Sequence, residues 1–301
     1  MNRALVIGSR GQDGVLLTSL LVDRGWAVSG LARGDLDVCH FPSVKEVLLS
    51  GYEHVYYLAA YHQSSQDSAV AGERELYEKS TQVHVDGLLN FLDAIRSAAP
   101  TTRIFYAASS LVFGSPDQEL QDEVTPLNPL CIYGITKSNG IQLCRYFREK
   151  HGIFASAGIL FNHESPLRHR KFVIPKIIHG AVAISRGYTQ KLQLGDLSAR
   201  VDWGYAPDYV DAMHRILCLD SPDDFVVASG ETHSVQDVVE TVFAALGLNW
   251  TQHIVETPSL LTRQRTVLRG DSSKLRQRTG WEPTVDFPTM ILRLLDIAKN
   301  A

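Results

Sequence analysis

The chain predicts an α/β fold: a doubly wound parallel sheet with a smaller C-terminal domain. Three observations lead there. Short, wholly apolar runs alternate with amphipathic stretches through the first half; three glycines close the first run and open the first amphipathic stretch; and the texture changes after residue 162. Strands that are apolar throughout belong to a parallel sheet covered on both faces by helices. At 301 residues, 45% hydrophobic and 21% charged, the chain can bury one large core or two fused ones.

The elements follow in order. ALVIG (4–8) is a short apolar run ending in glycine and suits a buried strand. GVLLTSLLVDRG (14–25) has apolar residues at helical spacing and a terminal glycine, as a helix end does. WAVSGLA (26–32) is a second strand and GDLDV (34–38) a third, very short one. SVKEVLLSG (43–51) is a helix, HVYYLAA (54–60) a strand, and residues 76–98 one long amphipathic helix. RIFYAAS (103–109) is a strand, 133–152 a helix ending in glycine, and FASAGILF (154–161) another strand. HESPLRHRKF then reads as a polar loop, KIIHGAVAISRG (176–187) as a helix, and 192–220 as a strand, a loop and a helix. FVVAS (225–229) is a strand, and the helix over 234–247 takes Ser234 as its N-cap. The expected division is a dinucleotide-type domain over 1–162, joined by later strands from about 198–229, and a smaller domain over 163–301.

Composition excludes several classes of function. The net charge is -4 and no basic run stands out, so nucleic acid is not an expected partner. The cysteines at 39, 131, 144 and 218 lie far apart with no C-x-x-C pair, which reads as reduced thiols, and no metal is expected. No apolar run approaches the roughly 18 residues of a membrane span, so a cytoplasmic protein is expected.

GSRGQDG places Gly8, Gly11 and Gly14 between a strand and a helix. That order suits a tight turn, close backbone approach to a pyrophosphate, and a helix N-terminus facing the phosphates, the Rossmann arrangement. Asp13 in this loop, and Leu58, Ala59 and Ala60 after the next strand pair, are counted with the cofactor-binding residues. NAD-binding units usually carry an acid at the end of the second strand, for the ribose 2′-hydroxyl. Here Arg33 holds that place and Arg10 lies in the loop, which favours the 2′-phosphate of NADP(H), with NAD open as the alternative. Asp37 is a candidate acceptor for the adenine amino group, or a surface turn carboxylate.

Tyr133 and Lys137 form Y-x-x-x-K, a spacing that puts both side chains on one helix face. The ammonium is expected to acidify the phenol, which would then exchange a proton with a substrate hydroxyl while hydride passes to or from the cofactor. Ser109, at a strand end, would hydrogen-bond the same oxygen.

These motifs together resemble the extended short-chain dehydrogenase/reductases that act on nucleotide sugars, and among them the GDP-mannose 4,6-dehydratase family. The matching segments are the glycine loop at 8–14, YLAA (57–60), Tyr133 with Lys137, GILFNHESP (158–166), FV-x-x-K (172–176), DWG-x-A-x-DYV (202–210) and GD-x-x-K with GW (270–281). The resemblance implies a GDP-sugar substrate, contacted through Ser110, Asn162, Val173, Lys176 and Arg200, and a homodimer or homotetramer paired through the helices at 76–98 and 133–150. The chain departs from the family at one chemical position. Where the family has S-T-S-E, this chain reads Ala108, Ser109, Ser110, Leu111, so leucine replaces the glutamate that takes the C5 proton. Val201 replaces the arginine before D-W-G, and the R-P pair near the C-terminus is absent, with Arg263 and Arg265 close by. His62 is a loop histidine, either an extra acid/base or a structural hydrogen-bonder; His163 and Glu164 are expected to fix the nucleotide-facing loop.

Without elimination, three uses of a C4 hydride site remain: a 4-keto-sugar reductase, a 4-epimerase or a 4-dehydrogenase. NADP(H) favours the reductase. A dehydratase with a substitute carboxylate stays open, and so does a non-catalytic dinucleotide sensor.

Overall fold

The computed structural model describes residues 2–61, 72–257 and 267–300. The first half runs β1 (Arg3–Ile7), α1 (Gln12–Asp23), β2 (Ala27–Leu31), α2 (Phe41–Leu49), β3 (His54–Tyr57), α3 (Glu73–Thr81), α4 (Gly87–Ala98), β4 (Arg103–Ala107), α5 (Ile132–His151) and β5 (Ala155–Leu160). It continues with β6 (Asn162–Glu164), α6 (Val173–Ser185), β7 (Leu192–Leu194), β8 (Arg200–Tyr205), α7 (Ala206–Leu217) and β9 (Asp224–Val227). The chain closes with β10 (Thr232–Ser234), α8 (Val235–Ala245), β11 (Ile254–Glu256), α9 (Ser273–Thr279) and α10 (Phe287–Asn300).

The apolar runs become a parallel sheet of order β2-β1-β3-β4-β5-β9. Tyr56, Phe105, Tyr106 and Phe225 are fully buried in it. Burying an aromatic or aliphatic side chain of that size stabilises by about 1.5–3 kcal/mol, which is why the strands carry no polar alternation. A second buried cluster gathers Ile177 of α6, Trp203 of β8, Val239 and Phe243 of α8 and Ile291 of α10. Ser234 caps α8 as expected: its hydroxyl accepts from Asp237 N, and the Asp237 carboxylate accepts from Ser234 N.

Four expectations change. GDLDV forms turns rather than a strand, because Asp35 bends back to accept from Ala32 N. Of the later strands only β9 joins the main sheet; β8, which the sequence hides in a polar stretch, lies between β10 and β6 in a separate three-stranded sheet. The segment taken as all loop begins with the short strand β6. The long helix is interrupted by a π turn over Gln82–Asp86, between α3 and α4. Among the described residues no helix is long and apolar enough to cross a membrane.

At the opposite end of the sheet from the glycine loop, the Tyr56 hydroxyl bridges His54 Nδ1 (3.2 Å) and His214 Nδ1 (3.0 Å). Burial holds His54 down to about 3 and His214 to about 4, well below the ordinary 6.5 of imidazole. The folded chain therefore keeps both rings neutral while the unfolded chain takes up protons. Their contribution is complete above pH 6.5 and is lost as pH falls toward about 4. We expect a loss on the order of 1–2 kcal/mol per histidine by pH 5. Calorimetry at pH 7 and pH 5 should show the fall in Tm, and His214→Gln should reduce it; an unchanged slope in that variant removes His214 as a cause.

Candidate active site

The carboxyl ends of the sheet strands open into one cavity of about 1450 Å³. It lies over β1 and β3, where the strand order reverses, the usual ligand position in such sheets.

One wall is built to receive a dinucleotide. Gly8, Arg10, Gly11, Asp13, Gly14, Arg33, Asp37, Leu58, Ala59 and Ala60, all singled out from sequence, line the cavity. A Cβ on Gly14 would lie 2.4 Å from Gly8 O, so α1 can begin this close to the loop only without a side chain there. The amides of its first turn have no intrahelical partner to bond, which suits a pyrophosphate. Arg10 pairs with Asp35 (3.2 Å), and Asp37 Oδ1 accepts from Cys39 N (2.9 Å). The Asp13 carboxylate is committed to protein. It receives His163 Nε2 at 3.0 and 3.1 Å, while His163 Nδ1 donates to Phe161 O at 2.7 Å. Burial works against charge on both partners, yet their attraction prevails: Asp13 is lowered and His163 raised. That pair ties the glycine loop to β6. These residues fit a bound dinucleotide, whose nicotinamide would supply or take up hydride.

Ser109, Tyr133 and Lys137 all line the cavity. Ser109 leaves β4 extended, and its Oγ accepts from Leu111 N (3.3 Å) across the short 3₁₀ turn Ser110–Val112. The hydroxyl proton remains to be donated to a substrate oxygen. Val112 and Phe113 are buried in the core, whereas Leu111 is 37% exposed and lines the cavity. The first turn of α5 presses on this turn so closely that a Cβ on Gly134 would lie 2.5 Å from Leu111 O. Tyr133, the residue before Gly134, lines the same cavity as Ser109 and Ser110. Lys137 is 1% exposed; its ammonium donates to Ala107 O (2.7 Å) and lies 4.9 Å from the Tyr106 ring centre and 5.7 Å from that of Tyr133.

The expected acidification of Tyr133 is reversed here. Burial pushes the phenol up and outweighs the opposing Arg168 guanidinium, while burial pulls Lys137 down to about 7. In a desolvated pocket the charged form of each group loses more than its neighbour returns.

The substrate side is only partly as expected. Ser110, Asn162, Val173 and Arg200 line the cavity; Lys176, one turn further along α6 than Phe172 and Val173, does not. The Arg200 guanidinium donates to Thr232 Oγ1 (3.2 Å) and O (2.5 Å). His163, Glu164, Arg168, Phe172 and Trp203 line the cavity too. His163 and Glu164 are the residues expected to fix the nucleotide-facing loop, Trp203 belongs to the D-W-G segment, and the signal for Arg168 and Phe172 is the His- and Arg-rich stretch 162–172. Arg168 stacks on Phe172 (3.7 Å to the ring centre) and lies 3.7 Å from Glu164 Oε1. Burial pushes Glu164 up to about 7, against the pull of Arg168 and His163, and its Oε2 makes no hydrogen bond among the described residues. His62, Arg263 and Arg265 lie outside the described residues. Among those described, no group of three or more His, Cys, Asp or Glu could hold a metal ion.

A family model described as GDP-mannose 4,6 dehydratase matches residues 35–294. The chain belongs to the GDP-mannose 4,6-dehydratase family. It is 34% identical to GDP-mannose 4,6 dehydratase 2 of Arabidopsis thaliana over 97% of this chain and 86% of that protein. It is 31% identical to the Homo sapiens GDP-mannose 4,6 dehydratase over 98% and 90%. Among solved structures, RMD from Pseudomonas aeruginosa in complex with NADPH superposes with a TM-score of 0.87 over 100% of both chains at 20% identity. The Thermus thermophilus UDP-glucose 4-epimerase complex with NAD gives 0.83 over 99% of both at 21%. These likenesses confirm the fold expected from the sequence.

Proposed function

We propose that this member of the dehydratase family is an NADP-dependent oxidoreductase acting at C4 of a GDP-linked sugar, and that it reduces a 4-keto sugar to the alcohol. The observation that carries the reading is Leu111: beside an intact Ser109–Tyr133–Lys137 trio, the cavity wall offers a hydrocarbon where elimination needs a carboxylate. Tyr133, kept protonated by burial, is a proton donor, the role a reduction asks of it. In the proposed step Tyr133 gives its phenolic proton to O4 as C4 accepts hydride, Ser109 donates to the same oxygen, and Lys137 packs 5.7 Å from the Tyr133 ring centre. The likeness to RMD, solved with NADPH, and Arg10 and Arg33 beside the glycine loop support NADPH as the hydride source.

The test is purified protein with NADPH and GDP-4-keto-6-deoxymannose: nicotinamide absorbance should fall in step with alcohol formation. Interconversion of a GDP-sugar with no added cofactor, and no NADPH consumption, would instead establish an epimerase. One observation favours a second reading, a dehydratase: Glu164 is a cavity carboxyl pushed to about 7, with one oxygen uncommitted among the described residues, in a family whose relatives carry the dehydratase name. A 4-keto-6-deoxy product from GDP-mannose and NADP⁺ would decide for it.

A further inference from the structure

The π turn between α3 and α4 carries a buried histidine that none of the chemistry above uses. His84 is 0% exposed. Its ring stands edge-on to Tyr133, with 5.1 Å between centres and 86° between planes. The backbone N–H of Tyr61 donates to Nε2 at 3.0 Å. An amide has only a proton to offer, so Nε2 presents its lone pair and the ring proton sits on Nδ1. Nδ1–H therefore donates to Thr136 Oγ1 at 2.8 Å, and that hydroxyl donates onward to Ile132 O (3.0 Å) or Tyr133 O (3.2 Å). The hydrogen bonds run one way, from the strand-end segment at Tyr61, through His84, to the turn of α5 that bears Tyr133.

The π turn itself is anchored on the sheet. Widening a helix by one residue per turn frees carbonyls, and π turns gather at functional positions. Here Val83 O accepts from Tyr57 Oη (2.6 Å) and His84 O from Tyr106 Oη (3.4 Å). The Tyr106 ring is the one under the Lys137 ammonium. An ordinary α turn would rotate this side chain away from α5, so the widening and the histidine act together.

We infer that His84 is a positioning residue: held by the π turn, it fixes the ring of Tyr133 through an edge-on contact and a hydrogen-bond chain to Thr136. The inference rests on the reading of Tyr133 as the proton donor. It predicts that His84 sets turnover rather than affinity, because among the described residues the contacts that hold it run to Tyr61, Thr136 and Tyr133 rather than to the glycine loop.

The phenol can be followed without any sugar, in protein labelled with ¹³Cζ-tyrosine, its resonance assigned by disappearance in Tyr133→Phe. This readout stands whether or not the proposed reaction is right. His84→Phe keeps an aromatic edge and removes both nitrogens; His84→Asn keeps an amide donor near the Nδ1 position. In His84→Phe the Tyr133 resonance should shift or broaden, the NADPH dissociation constant stay within about threefold, and kcat on the keto sugar fall about 10- to 100-fold at unchanged KM. His84→Asn should recover most of both changes. A Tyr133 resonance unmoved in His84→Phe, or a loss of turnover that Asn does not recover, overturns the inference. Should His84→Phe not fold, Thr136→Val removes the acceptor at nearly the same shape and is read by the Tyr133 resonance with the same two outcomes.

Discussion

Replacing Tyr133 with phenylalanine should cut keto-sugar reduction by about 10³-fold or more while leaving NADPH affinity within about threefold. A positioned general acid contributes roughly 10²–10⁴ in rate, and this phenol is the proton donor the proposed step depends on. Its surroundings argue for an effect near the upper end. The phenol is pushed up by burial and so stays protonated, and the Lys137 ammonium is turned to Ala107 O. The ring adds only a hydroxyl, and α5 is held by Lys137 on Ala107 O and by the contact of Gly134 with Leu111, neither of which the substitution touches. The variant should therefore fold normally. Stopped-flow mixing with NADPH separates the two quantities: binding by nicotinamide fluorescence, reduction by absorbance. If Tyr133→Phe keeps turnover within about tenfold, the acid lies elsewhere and this reading of the site falls.

The second large effect concerns Leu111. Wild-type protein with GDP-mannose and NADP⁺ in deuterated water should show no deuterium at C5 of the sugar and no 4-keto-6-deoxy product. Leu111→Glu should restore C5 exchange, and the gain should be on the order of 10²–10⁴, the worth of a positioned base. The site tolerates the change physically: Leu111 is 37% exposed on the cavity wall, so a carboxylate there stays hydrated rather than buried unpaired. Its backbone is fixed by the Ser109 hydroxyl, so the new side chain would leave from a defined point. Exchange in the wild type that vanishes in Glu164→Gln would show that the buried carboxyl of β6 has taken over the missing role, and the reductase reading would fall.

Much of this molecule could be read along the chain. Apolar runs without alternation announced β1, β2, β3, β4, β5 and β9, because a strand covered on both faces has no use for a polar residue. Glycines at 8, 11 and 14 announced the phosphate wall, since only a missing side chain permits that approach. Tyr133 and Lys137 announced themselves by helical spacing, and Ser234 by its capping pattern. Each of these is a local rule: the residue and its consequence lie within a few positions of one another.

What the chain left hidden depends on partners far apart in sequence. β8 has no apolar signature of its own and is made a strand by β6 and β10. That the Asp13 carboxylate pairs with His163, 150 residues away, has no signal in the glycine loop itself. The pKa of Tyr133 could not follow from the nearby lysine alone, because desolvation is a property of everything packed around a group. The role of His84 needed a π turn to aim it and α5 to receive it. By itself, then, the sequence determined the sheet, the glycine loop and the helical spacing that brings Tyr133 and Lys137 to one cavity, all consequences of short-range sterics and of periodic burial. Only the tertiary structure decided which charges meet, which carboxyls are already spent and how the proton donor is held, because electrostatics and packing act across space without regard to chain order.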